Sequence, residues 1–428
     1  MTGTLKRPLL GAIADDMTGA TDLALMLAKG GMKVVQVIGP DAVSRAPHDT
    51  DAIVVAMKSR TNPPEEAVAM SLQAAAALKE RGSRQILFKY CSTFDSTDQG
   101  NIGPVADALL DHLDTPVAVA CPAFPAAGRT IYHGHLFVNG RLLSESGMQH
   151  HPLTPMTDPD LVRVLSRQSR NAVGLIPLEV VARGTDAIRE GLATLAAQGK
   201  RLVIVDAVSD ADLRTIGHAL NDARLITGGS GIALGLPDNF RDASGGGADS
   251  PAPPPAVSGP AAILSGSCSQ ATNQQVDRAR KAGLPAFRVR PEDISSADET
   301  VARLMDWVAG QPPETPILIH ATDTPENVQA SQVALGRDAA GALVEQVMGK
   351  AAVALVGRGF RRLIVAGGET SGAVIAALSV RALRIGPEIA PGVPWTTTIG
   401  DPELALALKS GNFGGPDFFA DALAMLDE

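Results

Sequence analysis

LLGAIADDMTGATDLALMLAKGG, residues 9–31, is the stretch that decides the fold class. Its first part, residues 9–14, is a short apolar run that leads directly into two aspartates. Its second part has apolar residues at helical spacing and ends in Lys29 and two glycines, as helices often do. The stretch therefore predicts a strand, a polar turn and a helix, in that order.

The same alternation recurs along the chain. Further short apolar runs occupy residues 52–57, 85–90, 116–122, 201–207, 260–266, 316–321 and 361–368, and helical patterns fill residues 65–82, 270–283 and 371–380. Alternating strands and helices predict a mostly parallel sheet covered on both faces. We therefore expect an α/β protein made of two tandem α/β domains with mostly parallel sheets and an active-site cleft between them.

A change of composition marks the expected domain boundary. In residues 241–259, RDASGGGADSPAPPPAVSG, small residues and proline replace every periodic apolar pattern, as in a linker or an exposed loop. The expected domains are then residues 1–240 and 260–428. A chain of 428 residues has room for two or three ordinary domains.

Composition also excludes some classes of protein. A formal net charge of -9, with two Trp and two Tyr, argues against a nucleic-acid partner. No apolar run approaches the roughly 18 residues of a membrane span, and the first apolar run reaches two aspartates too soon for a secretory signal. Three cysteines without CxxC spacing fit a reducing compartment, so the cytoplasm is the expected location. The oligomeric state stays open, with a homo-oligomer as one alternative.

The first candidate site is the turn after residues 9–14. Asp15 and Asp16 could bind Mg²⁺, accept hydrogen bonds from a polyol, or take a proton from a hydroxyl. The structural alternative is an acidic helix N-terminus that is capped by Asp or by Thr18.

The second candidate site is FKYCSTFDSTDQGNIGPV, residues 88–105. Lys89 could offset the charge of a substrate, and Asp95, Ser96 and Asn101 offer the mixed donors and acceptors that a hydroxy acid needs. A polar surface loop with a capping Ser or Thr is the structural alternative.

Three glycine-rich turns form the third candidate site. They are AAILSGSCSQAT at residues 261–272, IVAGGETSGAV at residues 364–374 and ALKSGNFGGPD at residues 407–417. Small residues allow backbone N–H groups to approach a phosphate. Together the turns suggest a nucleotide site of an unfamiliar type, because the P-loop, protein-kinase and GxGxxG motifs are missing from the sequence.

The histidine pairs are a further candidate. His133 with His135, and His150 with His151, could bind a metal ion. Without clustered cysteines, substrate contacts or solvated loop histidines are the favoured interpretation.

Taken together, the candidate motifs resemble those of the four-carbon acid sugar kinase family. The resemblance rests on residues 11–24, 88–105, 121–146 and 156–168 and on GGETSGAV, in order and at plausible spacing. The resemblance is strongest to the branch that acts on 3-oxo-tetronate, which has the same interval of six residues between Lys89 and Asp95. Sister kinases of threonate or erythronate typically have a shorter interval.

The resemblance implies an N-terminal domain that holds a four-carbon acid sugar and a C-terminal domain that holds ATP with Mg²⁺. The expected reaction transfers the γ-phosphoryl group of ATP to the C4 hydroxyl of 3-oxo-tetronate. The residues that the resemblance assigns to the acid sugar are Asp15, Asp16, Thr18, Lys89, Asp95 and Ser96, and those that it assigns to ATP are Ser265 or Ser267, Gly367, Gly368, Glu369, Thr370 and Gly411.

Three points stay open within this expectation. Asp16 or Asp95 accepts the proton of the C4 hydroxyl, and Arg60 or Arg129 pairs with the substrate carboxylate. A threonate or erythronate 4-kinase is the alternative enzyme. A sensor without turnover, or a nicotinamide-dependent dehydrogenase, is less well supported by the motifs.

Overall fold

The computed structural model of the chain describes residues 8–150, 154–241, 255–323, 327 and 337–426. The chain divides into two compact units, Met1–Ser250 and Pro251–Glu428. Most of the segment predicted to be a linker, residues 242–254, lies outside the described residues. Each unit is an α/β structure with a mostly parallel sheet, which confirms the predicted fold class.

The first unit has strands and helices in alternation. Its strands are β1 (Leu10–Ala14), β2 (Val34–Ile38), β3 (Ala52–Ala56), β4 (Gln85–Lys89), β5 (Ala118–Cys121), β6 (Arg129–Tyr132), β7 (His135–Val138), β8 (Arg141–Leu142), β9 (Ala172–Ile176), β10 (Lys200–Val205) and β11 (Leu225–Gly228). Its helices are α1 (Met17–Lys29), α2 (Pro64–Arg81), α3 (Ile102–His112), α4 (Leu161–Gln168), α5 (Leu178–Val181), α6 (Thr185–Ala197) and α7 (Asp210–Ala219).

The main sheet of the first unit is parallel throughout. Its strand order is β2-β3-β1-β4-β11-β5-β10-β9. The apolar run predicted at residues 9–14 forms β1 near the middle of the sheet, where all five of its residues are buried. Because the chain leaves β1 first toward β2 and β3 and later toward β4, the order reverses between β1 and β4. In open parallel sheets such a reversal creates a crevice beyond the carboxyl ends of the strands.

A small antiparallel sheet, in the order β6-β7-β8, was not predicted from the sequence. His133 and Gly134 turn the chain between β6 and β7 with positive φ angles. The buried carboxylate of Asp206 accepts hydrogen bonds from both backbone N–H groups, at 2.6 and 2.8 Å. The turn is therefore fixed by a residue more than 70 positions away, which local sequence patterns do not reveal.

The second unit repeats the alternation and ends with antiparallel strands. Its strands are β12 (Ala261–Ser265), β13 (Ala286–Arg288), β14 (Ile317–His320), β15 (Arg362–Ala366), β16 (Ala382–Ala390), β17 (Val393–Thr398) and β18 (Ala405–Lys409). Its helices are α8 (Gln270–Lys281), α9 (Ala297–Ala309), α10 (Arg337–Gly357), α11 (Gly368–Ala377) and α12 (Phe418–Ala424).

The sheet of the second unit has the strand order β13-β14-β12-β15-β18-β17-β16. The first five strands of that order are parallel, and β17 and β16 continue antiparallel. Trp395 is fully buried in the core and donates its indole N–H to the carbonyl of Ala422 at 3.0 Å. The strand order reverses between β12 and β15, so this unit has a crevice of the same kind as the first.

The segment Ala339–Gly357 of α10 is long and apolar enough to cross a membrane by length and composition. Within the unit, however, Val347, Met348 and Leu355 have no exposed surface, and α10 packs along α9 and α11. Burial of this kind is typical of a core helix in a globular domain.

Candidate functional site

Polar side chains from three neighbouring strands meet at the carboxyl edge of the first sheet. Asp15 and Asp16 follow β1, Arg60 lies in the turn after β3, and Lys89 is the last residue of β4. The backbone fixes this arrangement, because Ser59 and Arg60 donate their N–H groups to the carbonyl of Asp15 at 2.9 and 3.2 Å. We call Asp15, Asp16, Arg60 and Lys89 the acid–base cluster.

Asp15 and Arg60 form a bidentate ion pair in which the carboxylate is buried and the guanidinium is partly exposed. The Nε and Nη2 atoms of Arg60 donate to the two carboxylate oxygens of Asp15 at 2.9 and 2.8 Å. A fork of this geometry fixes the guanidinium in orientation as well as in position. Arg60 thus already has a carboxylate partner within the protein, and its predicted pairing with the substrate carboxylate stays a prediction.

Asp16 has the capping role that the sequence offered as the structural alternative, and it also contacts two cations. As the N-cap of α1 it accepts the N–H of Gly19 at 3.1 Å, and it also accepts the hydroxyl of Thr18 at 3.0 Å. At the same time its Oδ1 atom accepts Nη2 of Arg60 at 2.7 Å and lies 3.7 Å from Nζ of Lys89. Capping therefore holds the carboxylate in the position where it organises both cations.

The two aspartates differ in electrostatics. Burial raises the pKa of Asp15 above its usual value, despite the neighbouring Arg60. Burial acts in the same direction on Asp16, but Arg60, Lys89 and two hydrogen bonds outweigh it and lower the pKa of Asp16. The two carboxylates in turn hold the pKa of Arg60 well above its usual value against the effect of burial. Asp16 is therefore the more strongly acidic carboxyl group of the pair.

Gly19 allows Lys89 to reach the cluster. A Cβ atom at position 19 would lie 2.1 Å from Nζ of Lys89 and 2.2 Å from Oδ1 of Asp16. Only a residue without a side chain leaves room for the buried ammonium group at this point of α1.

Asn101 holds the turn that carries Arg60. Its Nδ2 atom is shared among the carbonyls of Ser59, Arg60 and Asn62, at 2.8, 3.1 and 3.1 Å. The sequence suggested that Asn101 contacts a hydroxy acid, whereas the structure uses its amide N–H groups within the protein. Asn101 is therefore a positioning residue of the acid–base cluster.

Asp95 lies on the loop that follows β4 and is partly exposed. The residue before it, Phe94, is fully buried and has a φ of 54°. The rings of Phe94 and Tyr90 pack edge to face, with their centroids 5.4 Å apart. A bulky residue in the left-handed region is strained, and such strain is commonly kept at functional sites. The Asp95 carboxylate accepts the hydroxyl of Thr93 at 2.6 Å.

Cys91 connects this loop electrostatically to the cluster. Burial and the nearby Asp95 raise the pKa of Cys91 to about 11, although Arg60 and Lys89 act to lower it. The thiol is therefore protonated at neutral pH. The thiol therefore lies within the electrostatic influence of Asp95 as well as of Arg60 and Lys89.

The remaining predicted sugar-site residues lie in two other places. Ser96 is buried and accepts the side-chain amide of Gln168 at 3.0 Å, so α4 helps to fix its loop. Arg129 begins β6 in the small antiparallel sheet, where its guanidinium donates to the carbonyl of Ala127. Of the two arginines left open by the sequence, Arg60 is thus the one that lies within the acid–base cluster.

In the second unit the three glycine-rich turns meet at one edge of the sheet. A Cβ atom on Gly411 would lie 2.4 Å from the Ser267 hydroxyl, and one on Gly266 would lie 2.2 Å from the Thr370 hydroxyl. The hydroxyls of Ser269 and Thr272 donate to the carbonyl of Gly411 at 2.6 and 2.8 Å. We call the turns at residues 265–272, 367–371 and 409–411 the glycine cradle.

The cradle contains the start of α11, which no side chain caps. Gly367 precedes this helix with a φ of 129°, a conformation that L-residues rarely adopt. The first N–H groups of a helix have no intrahelical partner, and an anion satisfies them well. Gly368 and Glu369, at the first two helical positions, are exposed, while Thr370 is buried.

The two alternative serines of the first turn differ in environment. Ser265 is fully buried, and its hydroxyl lies 2.7 Å from that of Thr322. Ser267 is partly exposed and adjoins Gly411 and Gly367. Ser267 is therefore the serine whose position lets it contact a ligand in the cradle.

Lys409, at the end of β18, was missed in the sequence. Its fully buried Nζ atom donates to the Thr272 hydroxyl and to the carbonyls of Ser410 and Gly411, at 3.0, 3.1 and 3.1 Å. The sequence signal that could have identified it is a lysine at the end of an apolar strand, directly before a glycine-containing turn. Lys89 ends β4 in the same way.

No group of three or more His, Cys, Asp or Glu side chains is arranged to hold a metal ion among the residues that the structure describes. His133 pairs with Glu179 at 3.4 Å, and His135 bonds the carbonyl of His133 at 2.8 Å. The predicted pair at residues 150 and 151 lies largely outside the described residues.

The two halves of the chain match two family models. A sugar-binding N-terminal domain matches residues 10–236, and a nucleotide-binding C-terminal domain matches residues 262–419. These descriptions correspond to a protein class in which one domain binds a sugar and the other binds a nucleotide.

Curated relatives match over the full chain. A 3-oxo-tetronate kinase of Cupriavidus necator is 57% identical over 99% of this chain and 99% of its own length. A 3-oxo-tetronate kinase of Pseudomonas fluorescens is 55% identical over 100% of this chain and 99% of its own. The chain belongs to the four-carbon acid sugar kinase family.

Solved structures are similar over the same length. A Salmonella typhimurium LT2 protein, provisionally described as a tRNA synthase, is 43% identical with a TM-score of 0.87, over 98% of this chain and 99% of that protein. A Haemophilus influenzae protein is 42% identical with a TM-score of 0.78, over 97% of this chain and 100% of that protein.

Proposed function

We propose that the protein is an ATP-dependent kinase that phosphorylates the C4 hydroxyl of 3-oxo-tetronate. The observation that carries the proposal is full-length similarity, at 55–57% identity, to relatives named 3-oxo-tetronate kinase. The acid–base cluster and the glycine cradle supply chemistry that suits this reaction. The first unit binds the acid sugar, the second binds ATP, and the cytoplasm is the expected location.

The cradle suits the phosphates of ATP. Its three turns present backbone N–H groups and small hydroxyls, and the uncapped start of α11 favours an anion. We assign to ATP the side chain of Ser267 and the backbone of Gly367, Gly368, Glu369 and Gly411, with Thr370 packed beneath them. Phosphoryl transfer depends mainly on positioning and charge neutralisation, which such a cradle provides.

Mg²⁺ fits this site as a partner of the nucleotide. The described residues offer no cluster of three protein ligands, so the phosphates of ATP would supply most of the coordinating oxygens. When bound, Mg²⁺ neutralises charge that develops on the phosphates.

Between the two candidate bases, the geometry favours Asp95. The oxygens of Asp16 are engaged by Arg60, Thr18 and Gly19, and its pKa is lowered, which makes it a weak proton acceptor. Asp95 has one side-chain donor, Thr93, and is partly exposed. We therefore assign the proton of the C4 hydroxyl to Asp95, and to Asp16 the positioning of Arg60 and Lys89.

Two amide variants test the assignment. Asp95→Asn is expected to lower kcat by about 10²-fold or more with little change in the KM of the sugar, since general-base catalysis contributes about that much. Asp16→Asn is expected to raise the KM as well, because it removes a carboxylate charge that helps to hold Arg60 and Lys89. An Asp95→Asn enzyme with the turnover of wild type would exclude Asp95 as the base.

The substrate is tested by ADP release with ATP and Mg²⁺. The oxidised substrate is made in situ by a threonate or erythronate dehydrogenase and compared with the unoxidised acids. Activity with the oxidised acid alone supports the proposal. Activity with an unoxidised acid would instead establish the alternative, a threonate or erythronate 4-kinase. Release of ADP with none of them would contradict both.

A further inference from the structure

The glycine cradle contains a single basic residue. Across residues 265–272, 367–371 and 409–411 the only charged residues are Glu369 and Lys409. Glu369 is exposed, whereas Lys409 has no exposed surface and lies beneath the turn at residues 410–411. The positive charge of the cradle therefore comes from an ammonium group inside the unit.

The surroundings of this ammonium group are unusual for a buried lysine. Thr272, in α8, accepts one of its hydrogen bonds, and the other two acceptors are backbone carbonyls. The ring centroid of Phe418, in α12, lies 5.9 Å from Nζ. None of these groups carries a charge or titrates near neutral pH. Burial lowers the pKa of Lys409 to about 7, and no charged side chain among the described residues contributes to this shift. A buried cation without a counter-ion favours its neutral form.

A polyanion in the cradle would change that balance. Nζ of Lys409 donates to the carbonyl of Gly411, and Gly411 lies next to the partly exposed Ser267. Gly411 therefore lies between the ammonium group and the surface of the cradle that a ligand would contact. Nearby phosphates favour the charged form of the lysine, because opposite charges stabilise each other strongly in a buried setting. Linkage then requires that nucleotide affinity depends on the protonation of Lys409.

We propose that Lys409 is a positioning residue of the nucleotide site, and that binding of a Mg²⁺-nucleotide draws a proton onto its buried ammonium group. The inference rests on the nucleotide-binding function proposed above. In the protonated form all three N–H groups can donate, one to the Thr272 hydroxyl and two to the carbonyls of the turn at residues 410–411. In the neutral form one of these hydrogen bonds is lost, and the turn loses the charge that faces the phosphates.

The test is calorimetric titration of the full-length protein with MgADP, at pH 6, 7 and 8, in two buffers of different ionisation heat. We expect little proton uptake at pH 6, about half a proton at pH 7 and nearly one at pH 8. Above pH 7 the affinity for MgADP is expected to fall with pH, approaching a tenfold loss per pH unit. The reason is that Lys409 of the unliganded protein has then lost its proton and must regain it on binding. The phosphate of the ligand also titrates, near pH 6, so every variant is compared with the same ligand.

Two variants separate charge from packing. Lys409→Met keeps an unbranched side chain that is one atom shorter and uncharged, and it is expected to bind more weakly at pH 6, with the pH dependence between pH 7 and 8 abolished. Gln275→Leu is the matched control. The Nε2 atom of Gln275 is shared among the carbonyls of Phe413, Gly414 and Gly415, each at 3.0 Å, so the substitution loosens the next turn without removing a charge. Gln275→Leu is expected to keep the proton uptake.

The outcomes distinguish the two proposals. Wild-type protein that binds MgADP at no pH would overturn the proposed kinase function. Wild-type protein that binds MgADP without proton uptake at pH 7 to 8 would overturn the role of Lys409 alone, and this measurement does not depend on the folding of any variant. An unchanged pH dependence in a folded Lys409→Met variant would overturn it as well.

Discussion

At the scale of single residues, the largest effects are expected where one side-chain nitrogen holds several backbone carbonyls. Asn101→Asp replaces a shared N–H donor with a carboxylate that faces the carbonyls of Ser59 and Arg60. We expect a loss of about 2–3 kcal/mol in the free energy of unfolding, typical of buried groups left without partners. Because Arg60 moves with its turn, kcat/KM for the acid sugar is expected to fall at least tenfold.

The matched control for Asn101→Asp is Asn62→Asp, because the Asn62 side chain is solvent-accessible and bonds Glu66 at 3.3 Å. Chemical denaturation and steady-state kinetics of both variants check the prediction. Equal losses of stability in the two variants would contradict the bracing role of Asn101.

Lys409 also predicts a pH dependence of stability in the absence of nucleotide. The pKa of Lys409 is about 7 in the folded protein, whereas a lysine in the unfolded chain has its ordinary pKa of about 10.5. Between these pH values the unfolded chain therefore binds a proton that the folded chain lacks. Its contribution to stability therefore rises by about 1.4 kcal/mol per pH unit from pH 7 to about pH 10. Lys409→Met removes this rise.

The measurement is denaturant unfolding of wild type and Lys409→Met at pH 6.5 to 9.5. The difference between the two proteins isolates the lysine from the other titrating groups. A difference in stability that stays constant over this range would contradict a lowered pKa.

Sequence reasoning found many site residues but not their partners. Asp15, Asp16 and Lys89 stand next to apolar runs, so local pattern located them. Arg60 lies 45 positions from Asp15, and only the pairing of β3 with β1 brings the two together. The buried state of Lys409 depends on Thr272, which is 137 positions away. Local periodicity does not contain such contacts.

At the scale of secondary-structure elements, α1 depends on a glycine in its first turn. Gly19→Ala would place a methyl group on Lys89 and Asp16, at separations of 2.1 and 2.2 Å. A helical glycine replaced by alanine normally stabilises by up to about 1 kcal/mol. Here we expect net destabilisation and a KM for the acid sugar raised about tenfold or more, because the buried ammonium group has to move.

Gly341→Ala is the matched control, since Gly341 lies within α10 with no atom within 4 Å of the added carbon. It is expected to be neutral or stabilising. Thermal unfolding and sugar-dependent kinetics compare the two substitutions. A Gly19→Ala variant that behaves like Gly341→Ala would show that Lys89 does not need that space.

The predictability of the elements follows their length and burial. Fully buried strands such as β1, β3 and β4 carry continuous apolar runs, and the sequence located each within one residue at either end. The short strands β6, β7 and β8 have no such run, and their turn is fixed by the distant Asp206. The antiparallel pair β16 and β17 was likewise not predicted, because partly exposed β16 has no continuous apolar run.

At the scale of the whole molecule, the division of the chain into two compact units predicts two unfolding transitions. MgADP is expected to stabilise only the unit Pro251–Glu428, which contains the glycine cradle. At a ligand concentration 100 times the dissociation constant the gain is about 2.7 kcal/mol, or roughly 5–10 °C in Tm. The Tm of the other unit, Met1–Ser250, is expected to be unchanged by MgADP.

Scanning calorimetry with and without MgADP checks this prediction. Gly411→Val fills the space next to Ser267 and is expected to abolish the shift. The surface substitution Lys350→Met, which removes an exposed ion pair with Asp298, is the control that keeps the shift. A ligand shift in both transitions, or in neither, would contradict a nucleotide site confined to the second unit.

The wide spacing of the cradle residues in the sequence has a consequence for biosynthesis. Ser269 precedes Gly411 by 142 positions, yet its hydroxyl bonds the carbonyl of that residue. A ribosome therefore synthesises the first turn of the cradle, residues 265–272, long before the last turn, residues 409–411. An emerging chain that has completed β12 and β15 still lacks Lys409 and the turn that follows it. Nucleotide can thus assist only the final stage of folding, after β18 has left the exit tunnel, and cannot rescue an earlier stalled chain.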